Sequence, residues 1–311
     1  MSDPSAQPSA DRAARLMLVA LSLTWGLTWP AMKIALDEIP PFSMRTGTCV
    51  LGTIVVFAFA LLQHRRLAIG GTVARVHVVV AGCLNLAAFS LFTAFAQLAT
   101  ATSRVIILTY TMPIWASLMA RPILGERLTG ARVVALILCV SGLAVLIRPL
   151  IGSGDPAGFG FALATAVSWA AGTVYLKWAR INADPIAITA WQLVVATAVT
   201  GTGLALVEGG PHLWPADASA LAALIFSGVV GSGVAYLLWF EIVRRLAAIT
   251  ASLAVLSVPV VGIVASILVL GERPTLADGI GFALIFAAAA CVFLAPGARV
   301  SNADPIEPAP Q

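Results

Sequence analysis

Trp25 is followed eight residues later by Lys33, and Trp169 eight residues later by Lys177; these are the only two lysines in a chain of 311 residues. An indole offers a flat π face to aromatic or cationic ligands, and an ammonium on a flexible stem attracts carboxylates. On an α-helix eight residues turn through about 800° and rise about 12 Å, which sets each lysine about 80° round from its tryptophan. Both pairs therefore read as walls of one binding space, tryptophan deep and lysine near an end. The competing reading is that each lysine snorkels to lipid phosphates and anchors its helix.

Pro113 and Pro259 lie inside apolar runs. A proline removes one backbone hydrogen bond and crowds the preceding turn, so it opens a helix and frees a carbonyl for a ligand or water. Tyr110, three residues before Pro113, and Tyr236 bring hydroxyls that need buried partners, and Asn85 brings an amide well inside an apolar run. These nine residues (Trp25, Lys33, Asn85, Tyr110, Pro113, Trp169, Lys177, Tyr236 and Pro259) are the candidate substrate path. Helix packing is the alternative use of each, and for Asn85 the favoured one. Two Leu-Gly-Glu-Arg segments, with Glu126–Arg127 and Glu272–Arg273, read as structural loops that tie helix ends together. Gly228, Gly231 and Gly233 supply small surfaces for close helix approach.

Other chemistries find no residues. Cys49, Cys83, Cys139 and Cys291 all lie in apolar runs without a C-x-x-C pair and read as small hydrophobes. The sequence contains no metal-ligand cluster, no glycine-rich phosphate loop with its lysine, and no nucleophile–base set, so no cofactor, metal or catalytic residue is expected. Asp, Glu and His avoid the middle of every apolar run; His64, His77 and His212 fall in loops or near run ends. The usual proton carrier of a coupled pump is thus missing.

The elements that must position these residues follow from composition. Apolar residues make up 60% of the chain and charged residues 10%, against roughly 25% charged in a soluble domain. So few charges cannot wet a soluble surface, and lipid is the solvent that suits it. The net charge of +4 comes as single and paired basic residues between apolar runs, not as a nucleic-acid patch. Runs long enough to cross a bilayer occupy 16–36, 42–62, 76–98, 103–121, 130–148, 157–177, 186–206, 218–240, 248–270 and 277–295. With the N-terminus in the cytoplasm, 13 of the 18 basic residues fall inside and 5 outside, the outer five being Lys33, Arg45, Arg104, Arg148 and Arg273. The positive-inside rule favours that orientation.

The two halves repeat. Pro113 and Leu124–Arg127 match Pro259 and Leu270–Arg273 at an offset of 146, while Thr24-Trp25, Lys33 and Pro41 match Ser168-Trp169, Lys177 and Pro185 at 144. Each repeat holds five runs, an odd number, so the second enters from the opposite side. Inverted repeats are an architecture of secondary transporters, because two related conformations exchange which side is open. The expected fold is all-α and integral to the membrane, ten transmembrane helices in two inverted five-helix repeats. The expected organisation is a disordered cytoplasmic tail 1–15, a first repeat 16–148, a connecting loop 149–156, a second repeat 157–295 and a disordered cytoplasmic tail 296–311.

The early Trp with its downstream Lys, and Pro followed by Gly-Glu in the fourth and ninth runs, resemble the drug/metabolite transporter superfamily. Within it the chain is similar to the ten-helix EamA-type exporters, from about Arg15 to Pro296. The resemblance implies ten helices around a central cavity and export of small metabolites; length and aromatic content look most like the YddG-type exporters of aromatic amino acids. The expected function is a secondary transporter exporting amino acids or similar metabolites by alternating access, with a small-molecule substrate and the lipid bilayer as partners. It is expected to work as a monomer in a bacterial inner membrane, both termini cytoplasmic. Two rivals stay open, an exporter of lipophilic cations and a lipid-modifying membrane enzyme. Reporters fused after Arg66, Arg127, Arg180, Arg245 and Arg299 are expected to register on the cytoplasmic side; two periplasmic signals among them would overturn the ten-span order.

Overall fold

The structure, a computed structural model, describes residues 6–125, 129–148, 156–213, 215–245 and 248–294. Their regular elements are all helices, with no strand among the described residues. In chain order the helices are α1 (Ala6–Leu36), α2 (Pro41–Leu62), α3 (Thr72–Ala99), α4 (Thr102–Thr109) and α5 (Met112–Leu124). They continue as α6 (Gly130–Ile147), α7 (Pro156–Ala179), α8 (Pro185–Glu208) and α9, which starts at Ala218 and ends at Arg245. Last come α10 (Ala248–Leu270) and α11 (Leu276–Leu294). Among the described residues, six helices are long and apolar enough to cross a membrane (α2, α3, α6, α7, α8 and most of α9), and shorter apolar stretches lie in α10 and α11. Large apolar side chains point outward along them, among them Ile54, Val134, Ile137 and Leu268, as a lipid-facing surface requires.

Helix boundaries follow local chemistry. Pro41 and Pro185 open α2 and α8, where a missing N–H costs nothing. Gly125 ends α5 in the left-handed conformation that a side chain disfavours. Asp184 caps α8 through the Ile186 N–H, and Thr129 caps α6 through the Arg132 N–H.

Two expectations need correcting. The N-terminal tail was placed at 1–15, but α1 already begins at Ala6: Ala6, Ala10, Ala13 and Ala14 are strong helix formers that extend the apolar helix outward. The fourth run, expected as one helix over 103–121, is broken at Tyr110–Thr111 into α4 and α5. Pro113 stands in the first turn of α5, where its ring fits; in an unbroken helix it would have cost a hydrogen bond. Its repeat counterpart Pro259 stays inside a continuous α10. Glu126–Arg127, most of the 149–156 connection and the 296–311 tail lie outside the described residues.

Packing joins the two halves reciprocally. α1 lies on α10, while α7 lies on α4 and α5; α2 packs on α8, and α6 on α11. Thr53 and Thr197, 144 residues apart, meet each other across the α2–α8 contact at 3.5 Å. Small residues make these crossings close. A Cβ on Gly26 would lie 2.7 Å from the Val261 Cβ, and one on Gly142 would lie 2.8 Å from Ile285. Gly228, Gly231 and Gly233 sit in a π-wound stretch of α9, Ser227–Val234, against Leu51, Thr28 and Val55. A second π-wound stretch, Cys83–Ala88, lies in α3.

One end of the bundle is held by polar bonds between elements. Glu208 accepts the N–H groups of Phe42 and Ser43 at 2.8 Å each, and Glu272 accepts those of Thr102 and Ser103 at 2.6 and 2.9 Å. Each carboxylate thus covers the exposed N–H groups at the start of a helix, where the helix dipole also favours negative charge. Beside Glu272, Arg104 grips Asp278 with Nε at 2.6 Å and Nη2 at 3.1 Å. The Gly-Glu-Arg loop therefore ties helix ends through its glutamate, and the ion pair next to it is Arg104–Asp278. Replacing Glu272 by Ala is expected to lower stability in detergent by about 1–3 kcal/mol. Arg273→Ala, at an exposed position, should leave the melting temperature unchanged.

Candidate functional site

A cavity of about 610 Å³ lies between the two halves. The first half lines it from α1 (Trp25, Thr28, Trp29, Met32), from α2 (Arg45, Thr48, Cys49) and from α3 (Leu86, Phe89, Ser90). One face of α5 contributes Met112, Pro113, Ala116, Ser117, Ala120 and Leu124, a three-to-four-residue repeat that keeps one stripe of the helix on the cavity. The second half adds Trp169, Ala170, Thr173, Val174 and Lys177 from α7, then Gly231, Ser232, Tyr236 and Trp239 from α9.

Aromatic rings from opposite halves meet on its walls. Trp25 stands edge-on to Tyr236 with ring centroids 6.0 Å apart, and lies at the same distance from Trp239. In the other direction Trp169 packs on Phe89 at 4.9 Å. Each repeat's tryptophan therefore reaches across to the opposite half, and pairs of this kind fix ring orientation beyond simple burial.

The cavity is not alike at its two ends. Towards the C-terminus of α1 it stops at Met32 and Arg45, below a packed cluster that includes Leu36, Ile39, Met44 and Leu224. That is the end held by Glu208, Glu272 and the Arg104–Asp278 pair; Gln97 adds a bond there from its Nε2 to the Trp29 carbonyl at 2.9 Å. In the opposite direction the lining runs to Leu124 at the end of α5, Arg132 near the start of α6 and Lys177 near the end of α7. Arg132 and Lys177 are the basic residues of the lining at that end.

Of the residues singled out in the sequence, Trp25, Tyr110, Pro113, Trp169, Lys177 and Tyr236 border this cavity. Asn85 borders a smaller adjoining space of about 250 Å³ that shares Leu86, Trp169, Tyr236 and Trp239 with it. Asn85 also packs against the bare backbone of Gly172, where a Cβ would lie 2.2 Å from its Oδ1. Two residues fall elsewhere. Lys33 is not on the cavity; it forms an ion pair with Asp37, one helical turn on, at the closed end. Pro259 is buried in α10 away from the lining.

The sequence reading missed Arg45, counting it among membrane-flanking charges. It is 5% exposed and stands inside the cavity. The signal was present: Pro41 marks the helix start, so a residue four positions later is already in the span, where an ionisable group is a functional candidate by default. Thr109 was missed too; its Oγ1 is buried without a partner.

With this geometry in place, comparison with known proteins is informative. The EamA-like transporter family model matches twice, over residues 12–148 and 156–294. The chain belongs to the EamA-like transporter family. Among EamA-like relatives, "Uncharacterized transporter YoaV" of Bacillus subtilis is 25% identical over 274 residues, covering 87% of this chain and 93% of its own. A protein of Streptantibioticus cattleyicolor named "Probable terminal-alkyne amino-acid exporter" is 24% identical over 83% of this chain and 85% of its own length. An Escherichia coli protein named "Probable amino-acid metabolite efflux pump" is 27% identical over 52% of this chain and 57% of its own. A solved crystal structure 25% identical in sequence matches with a TM-score of 0.62, over 91% of this chain and 97% of that one. As a member of this family the chain is a multi-pass membrane protein of transporter type.

If this cavity carries the activity, filling it should stop the protein. Ala116→Trp, on the lining stripe of α5, is expected to cut transport by at least about tenfold with normal insertion. Val134→Trp, on the half-exposed outer face of α6, should leave transport unchanged.

Proposed function

We propose that this chain is a secondary transporter that exports amino acids or similar small metabolites by alternating access. The observation that carries the reading is the cavity of about 610 Å³ walled by both halves, tied shut at one end and reaching charged residues at the other. A cavity of about 610 Å³ suits a ligand the size of an aromatic amino acid. Two relatives whose printed names include amino-acid export or efflux support the substrate class.

In this reading the chain spans the membrane ten times in two inverted five-helix repeats, α4 and α5 together forming the fourth span. The double match of the family model and the reciprocal packing of α1 on α10 and of α7 on α4–α5 support that arrangement. The arginine-rich loops put both termini in the cytoplasm of a bacterial cell, so the open mouth at Lys177 faces inward. Trp25 and Trp169, with Tyr110 and Tyr236, hold the apolar part of the substrate. Pro113 lets α5 tilt against α4. In the opposite state α10 opens at Pro259, and Lys33 takes at the outer mouth the place Lys177 holds at the inner one. The chain works as a monomer, since both walls of the path come from one polypeptide.

The test is a proteoliposome panel of amino acids, nucleosides and cationic dyes, with and without a proton gradient. Saturable movement of at least one amino acid, accelerated by substrate on the far side and lost in Ala116→Trp, is expected. Rates equal to protein-free liposomes for every amino acid would overturn the reading.

A further inference from the structure

Arg45 is an unusual residue to find on this cavity. Its Nη1 lies 2.9 Å from the Met32 thioether sulfur, a weak acceptor, while Nε and Nη2 are buried with no hydrogen-bond partner. A guanidinium stays protonated in proteins, so the group is a buried cation without a counter-charge, an arrangement that folding alone does not favour. Among the described residues the cavity lining offers none, since it includes no Asp or Glu.

The two orphaned atoms are the informative part. Nε–H and Nη2–H lie on one edge of the guanidinium and point the same way, spaced to receive the two oxygens of a carboxylate. The same chain displays that pairing elsewhere: Arg104 holds both oxygens of Asp278 with its Nε and Nη2. At Arg45 the edge is identical, and no carboxylate of the described residues meets it. Thr109 Oγ1, on the same cavity and also without a partner, offers one further polar contact. Trp25, Trp29, Tyr110 and Trp169 make the remaining wall aromatic.

We propose that Arg45 is the substrate's carboxylate anchor at the closed end of the cavity, and that the ligand class is small aromatic or apolar monocarboxylates whose amino group is dispensable. The proposal rests on reading the cavity as the transport site. Nε and Nη2 are closed off in this conformation, so the carboxylate meets them when the Arg45 side chain turns into the cavity, and the apolar part lies among the indoles. The lining offers an α-ammonium aromatic faces and hydroxyls such as Thr28, Thr48 and Ser90 but no carboxylate, so an acid without one binds about as well as the amino acid. An amine lacking the carboxylate is repelled by Arg45 and has no acidic partner on the lining.

The purified full-length protein is titrated with 3-phenylpropionate, phenylalanine and phenethylamine, following intrinsic tryptophan fluorescence and thermal unfolding. The acid and the amino acid are expected to bind within about tenfold of each other, and the amine about a hundredfold more weakly or worse. Arg45→Gln should weaken 3-phenylpropionate about a hundredfold without lowering the melting temperature of the unliganded protein, since it removes an uncompensated charge. Arg45→Lys keeps the charge but not the two-pronged edge, and should fall between. Phenethylamine binding as tightly as the acid, an unchanged affinity in Arg45→Gln, or no binding of any of the three by the wild type would each overturn the proposal. The wild-type comparison needs no variant, so a misfolded Arg45→Gln does not blunt the test. Transport of other compounds in the proteoliposome panel would leave the transporter reading standing even then.

Discussion

A backbone N–H or C=O in hydrocarbon has no water to bond, so every irregular stretch of a membrane-embedded chain must face protein or a wet cavity. That constraint orders this molecule. The break at Tyr110–Thr111 borders the cavity through Thr109, Tyr110, Met112 and Pro113. The π-wound stretches of α3 and α9 reach it through Leu86 and through Gly231 and Ser232. A third such stretch, Leu204–Glu208, sits at a helix end, where Glu208 turns it into a cap for α2. The helix break and two of the three π-wound stretches thus gather at the cavity, and part of its wall is built from them.

The same scarcity of polar partners explains the closed end. Carboxylates are costly near lipid unless fully bonded, and Glu208 and Glu272 each accept two backbone N–H groups at a helix start. These contacts bridge segments far apart in sequence, Glu208 to α2 and Glu272 to α4. The cavity on the other side of that seal is walled by aromatic rings, with the Arg45 guanidinium at the sealed end.

Much of the site was legible in the sequence, and the exceptions are instructive. Trp25 and Trp169 were marked by their repeat positions, and both line the cavity, each against a ring from the other half. Lys33 and Lys177 are equivalent by the same repeat, yet only Lys177 is on the cavity. Pro113 and Pro259 are equivalent as well, yet only the first sits at a helix break. Repeat logic treats the two copies alike, whereas one conformation has one end closed and the other open. Arg45 escaped for a different reason: a count of charges by loop assigns a residue near a helix start to the water side, although its side chain turns inward.

The sequence by itself determined the solvent, the apolar runs and the repeat, because these depend on composition, run length and spacing along the chain. It also determined which residue types were available to meet a ligand, including the excess of basic over acidic groups in the path. Which helix face looks into the cavity was decided only by the tertiary structure, because helix rotation is set by neighbouring surfaces such as the Gly26–Val261 and Gly142–Ile285 contacts. Tertiary packing alone also decided which charges are paired. Asp278 meets Arg104 across 174 residues of chain, while no carboxylate of the described residues reaches Nε and Nη2 of Arg45. A pairing of that kind depends on distance in space, which spacing along the sequence does not encode.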